Sequence, residues 1–99
     1  MTVTCGLIKG RHRLPDHVST YVFSGDIPQA NICDGDYLHR NCLHFFTGAG
    51  CPDHIEVYVT GFTPALLALV RVCSMYGVRL TAYNYDRESR SFWKQEVLL

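Results

Sequence analysis

The chain has 99 residues, 47% of them hydrophobic and 18% charged, with nine basic and nine acidic side chains and five cysteines. That length supports one small domain with a real core, and that apolar share excludes a disordered chain. A formal net charge of zero excludes a global field for DNA or RNA, so any anion site has to come from local clustering.

The chain opens with a strand over residues 2–8, TVTCGLI, where Val3, Cys5 and Leu7 alternate with Thr4 and Gly6 and Ile8 extends the run. KGRHRLPDH (9–17) is a basic loop. STYVFSG (19–25) is short, aromatic and β-branched, a second short strand or an extended segment. DIPQANICDGD (26–36) is a loop. Asp36 is the expected cap of a helix through residue 46, with Tyr37, Leu38, Cys42, Phe45 and Phe46 on its apolar face. TGAGCPDH (47–54) breaks that helix.

IEVYVT (55–60) alternates cleanly and is a strand, and Gly61 turns the chain. Thr63 is the expected N-cap and Pro64 the first residue of the next helix, where its missing N–H costs nothing. PALLALVRVCSMY (64–76) is nearly all apolar, which predicts a helix buried on more than one side and closed by Gly77. VRLTAYNY (78–85) is a strand, DRESR (86–90) a polar turn, and SFWKQEVL (91–98) a final strand antiparallel to its predecessor.

Strand, helix and strand with short connections make parallel, right-handed βαβ units. The predicted fold is a single α/β domain over residues 1–99, a minimal Rossmann-like sandwich. Its sheet is mostly parallel, with a C-terminal antiparallel hairpin.

Open parallel sheets bind ligands outside the carboxyl ends of their strands. Three segments are expected to meet there: Lys9, Arg11, His12 and Arg13; Thr60, Gly61, Phe62 and Thr63; and Asn84 with Arg87. Gly61 lets backbone approach a ligand, the threonines add hydroxyls, and a helix N-terminus supplies free N–H groups. Asn84 suits a base or ribose edge, and Arg87 a phosphate. Each segment also has a plain structural reading: a tight βα turn, a solvated basic loop and a salt-bridged hairpin turn.

No P-loop and no GxGxxG occurs, so no dinucleotide cofactor is expected. The five cysteines include no CxxC pair, so no metal is expected and the thiols are expected to be reduced. No apolar run reaches membrane length, and no basic-then-apolar leader is visible, so no membrane contact and a cytoplasmic location are expected. No nucleophile elbow is present. His12 is the candidate acid or base, because two flanking arginines favour its neutral, proton-accepting form. With Lys9 it suits metal-independent phosphodiester cleavage by a 2′-hydroxyl.

The early strand running into GRH (10–12) and the strand–TGFTPAL–helix joint (60–66) resemble the CRISPR-associated Rossmann-fold proteins, small stand-alone ring nucleases among them. The resemblance implies a homodimer that binds, and in some members cleaves, a cyclic oligonucleotide. By position it puts Lys9, Arg11, His12, Gly61, Thr63 and Arg87 at the ligand. The alternatives are a non-catalytic nucleotide sponge, as some small phage proteins are, and a protein-interaction module without a small ligand. Phe92, Trp93, Val97, Leu98 and Leu99 are the expected dimer surface.

Overall fold

A computed structural model describes residues 1–10, 13–25 and 27–97. The elements run β1 (Thr2–Ile8), β2 (Tyr21–Phe23), α1 (Gly35–Gly48), β3 (His54–Tyr58), α2 (Thr63–Tyr76), β4 (Arg79–Asp86) and β5 (Ser91–Val97), with a 3-10 turn at Gln29–Asn31. The strands form one sheet in the order β2-β1-β3-β4-β5. β1 to β4 are mutually parallel, and β5 returns antiparallel to β4. This is the expected α/β architecture.

Alternation decides which side chains meet which layer. Cys5 and Leu7 of β1, Ile55 and Val57 of β3, and Leu80 and Ala82 of β4 point to one face. There they form a continuous core with Leu38, Cys42 and Phe46 of α1 and Ala65, Leu69, Val72 and Cys73 of α2. Both helices therefore cover the same face.

The opposite face has a smaller cover. The segment between β1 and β2 lays Leu14 and Val18 against Tyr58, with Tyr21, Tyr83 and Phe92 packed around them. Tyr58 and Tyr83 stack at 4.6 Å, and Phe92 meets Tyr58 edge-on at 4.9 Å. The basic loop seen in the sequence is thus also the lid of a second core.

Two expectations about the helices are corrected. α2 is buried on one face only: Leu67, Met75 and Tyr76 are each more than half exposed. The reason is that α2 has the sheet beneath it and α1 at its side, and no third layer among the described residues. The helix starts also move. Asp34, not Asp36, caps α1, accepting from the backbone N–H groups of Asp36 and Tyr37 at 3.1 and 3.2 Å. Phe62 occupies the N-cap of α2, Thr63 is its first helical residue, and no side chain caps it. Gly77 closes α2 in the left-handed conformation at φ 65°, as expected.

No helix among the described residues is long and apolar enough to cross a membrane.

Candidate functional site

The strand order fixes where a crevice can form. From β1 the chain moves outward to β2, and from β3 it moves the other way to β4. The β1/β3 boundary is therefore the topological switch point, and loops leaving the carboxyl ends of these strands diverge around it. The registers bring the ends of β1, β3 and β4 to one edge, because Gly6 pairs with Tyr58 and Tyr58 with Tyr83. Lys9, the 59–63 turn and Arg87 follow directly from those ends.

Thr60 holds this edge together. It is fully buried, its hydroxyl donates to the Ile8 carbonyl at 3.2 Å, and the same oxygen accepts from the Ile8 N–H at 3.0 Å. The hydroxyl thus joins the chain after β3 to the end of β1, which gives Thr60 a structural task. Gly61 follows at φ 66°, in the left-handed region that favours glycine, so the backbone turns there without Cβ strain.

Two hollows flank this turn. Val59, Gly61, Asn84, Tyr85 and Arg87 line one of about 270 Å³. The other, about 480 Å³ and mainly apolar, lies between the first turns of α1 and α2, where Ile32, Leu38, Phe62, Pro64, Leu67 and Ala68 meet Cys33, His39 and Arg71. Phe62 thus serves as helix cap and wall of the apolar hollow, half-buried against the main core.

Charge separates the two helix starts. The α1 start is already occupied by the Asp34 carboxylate, and Asp36 adds a second negative group in the first turn. The α2 start has no acidic residue in its first turn and no side-chain cap. Pro64 has no N–H, Ala65 is fully buried and the Leu66 N–H bonds the Phe62 carbonyl at 3.2 Å, so this start offers an anion the exposed Thr63 and the positive end of the helix dipole.

Lys9, Arg13, Thr63 and Arg87 are all exposed. Among the described residues no carboxylate pairs with Lys9, Arg13 or Arg87. The hairpin turn is closed instead by Asp86, which accepts from the Glu88 N–H at 3.1 Å and the Ser89 hydroxyl at 2.9 Å. Asn84 donates across the hairpin to Gln95 at 3.1 Å and lines the smaller hollow. Arg13 precedes Leu14, which is anchored over Gly6. Arg11 and His12 lie outside the described residues.

The sequence reading did not single out Cys33, His39 or Arg71. Cys33 comes before α1, His39 one turn into it and Arg71 two turns into α2, so only the docking of the helices makes them neighbours. The Nδ1 atom of His39 is buried with no hydrogen-bond partner among the described residues. At the opposite edge of the sheet, His54 contacts Thr2 and Arg79 through Nδ1 and Thr81 through Nε2, at 3.2, 3.3 and 2.8 Å. Arginine only donates, so Nδ1 accepts and Nε2 carries the proton toward Thr81. Thr81 in turn donates to Glu96.

No protein-family model, curated protein or solved structure matches this chain.

Proposed function

We propose that this protein binds a phosphate-bearing small ligand of the signalling-nucleotide class at the carboxyl edge of its sheet. The observation that carries this reading is the uncapped, acid-free start of α2 beside the Gly61 turn, at the switch point, with Lys9 and Arg87, which pair with no carboxylate among the described residues, at the same edge. A phosphate fits the positive dipole end at Thr63 and the cations. The apolar hollow behind Phe62 and Pro64 gives a base somewhere to go.

Binding without turnover, the sponge reading, asks least of these residues. Cleavage rests on His12 and Lys9, and product analysis after incubation distinguishes the two. The five free thiols fit a reducing compartment, so the reading places the protein in the cytoplasm.

The test is thermal unfolding against a panel of linear and cyclic nucleotides. A ligand bound only by the native state raises the midpoint by mass action. We expect a rise of several degrees (~2.7 kcal/mol at a hundredfold excess over Kd) with one member, lost in Arg87→Glu and in Arg11→Glu. A flat panel overturns the reading and favours a protein-interaction module.

A further inference from the structure

β5 is the outer strand of the sheet, and among the described residues its only strand partner is β4. Its free edge has a definite hydrogen-bonding parity. In β4 the Arg79 N–H donates to Asp53 of the segment entering β3, and the Tyr83 carbonyl accepts from Val59 beyond it. Odd-numbered residues of β4 thus direct their backbone groups to β3, and even-numbered ones direct theirs to β5. Leu80, Ala82 and Asn84 pair with Val97, Gln95 and Trp93. The odd residues of β5 are therefore spent on β4, and Phe92, Lys94 and Glu96 present outward N–H and C=O groups that no strand among the described residues takes up.

An exposed edge strand is usually guarded by charge that repels a second strand. Here the guard is self-complementary. Lys94 and Glu96 lie two apart on one face, 3.8 Å from each other. A two-fold axis through Gln95 sets Lys94 opposite Glu96 of a second copy, twice.

That register also satisfies the parity, because 94 and 96 are both outward-bonding residues and form reciprocal backbone pairs. An axis through Lys94 or Glu96 opposes like charges, and one through Trp93 sets Lys94 against Phe92. An axis midway between two residues opposes outward groups to inward ones and makes no ladder. On the helix-bearing face, the Gln95 register places Trp93, 50% exposed, against Val97 of the other copy.

From charge complementarity and parity together, we infer that β5 is a self-association edge, pairing antiparallel with β5 of a second copy about Gln95. Two five-stranded sheets become one ten-stranded sheet with all helices on one face. The antiparallel join sends the two carboxyl edges to opposite sides, so each copy keeps its own ligand edge. The inference is thus independent of the ligand reading, and it departs from a ligand held across the dimer axis.

The test is light scattering and native mass spectrometry of the full chain over a concentration series, with circular dichroism as the control for folding. The wild type is expected to dimerise. Lys94→Glu and Glu96→Lys are each expected to weaken self-association about tenfold or more. Mixing these two variants, or combining both changes in one chain, restores dimers, because opposite charges face each other again. Lys94→Pro removes an N–H that the monomer does not use, so it keeps the fold and loses the dimer. Arg87→Glu stays dimeric whatever it does to ligand. A wild type that is monomeric at every concentration, or single reversals that dimerise like it, overturns the inference.

Discussion

At Gly6 one absent methyl group lets the second core form. A Cβ there would stand 2.6 Å from Leu14 Cδ1 and 2.6 Å from the Tyr21 ring, so these side chains would have to shift. Gly6→Ala is expected to cost about 1–3 kcal/mol in urea unfolding, as overpacking does. In a Gly6→Ala, Leu14→Ala double variant the losses should fall short of additive, because the second change removes one of the first one's two clashes. Simple additivity would mean that the two residues do not compete for space. The sequence displays Gly6 only as a small residue in an alternating strand. That Leu14 and Tyr21 lie over it depends on how the intervening loop crosses the sheet.

At the scale of the element, the two helix starts illustrate what local sequence can and cannot specify. Asp34 and Asp36 are both good caps, and the difference lies in where the chain leaves the preceding 3-10 turn at Gln29–Asn31. Asp34→Ala is expected to lower stability by about 1 kcal/mol, and Asp36→Ala by clearly less. Thr63→Ala should stay within about 0.5 kcal/mol, since Thr63 is helical and its side chain caps nothing. Thermal and urea unfolding of the three variants check this ordering. A large loss in Thr63→Ala would show that its hydroxyl does cap α2.

For the molecule as a whole, pH reaches the main core through its thiols. Burial raises Cys5 and Cys42 from 9.0 to about 12 and Cys73 to about 11, with neighbouring thiols adding to the first two. The native values lie above the unfolded ones, so the unfolded chain releases these protons first. Stability is full below about pH 9 and falls as pH rises toward 12. Unfolding under reducing conditions at pH 9.5 should therefore raise thiolate absorbance near 240 nm. Ellman's reagent should find Cys33 and Cys51 in the native protein, and all five cysteines in denaturant. Rapid labelling of Cys5, Cys42 and Cys73 in the native state would contradict their burial.

Much of this architecture is written in local pattern. Alternation at 55–59 and 79–85, the Gly61 turn, Pro64 at a helix start and Gly77 at a helix end each act over a few residues, so the strands, α2 and the antiparallel hairpin are legible from the chain alone. Parallel pairing then dictates that the loops after β1, β3 and β4 share one edge. Tertiary structure decided what depends on partners distant in sequence. The Thr60 hydroxyl is bonded to the backbone of Ile8, 52 residues away, which no local pattern shows. The apolar run of α2 predicts burial on more than one side, but hydropathy does not reveal how many layers a sheet attracts. His39 and Arg71 line one hollow only because two amphipathic helices dock on one face. Composition and period act locally and are read directly, whereas proximity between segments exists only once the core has closed.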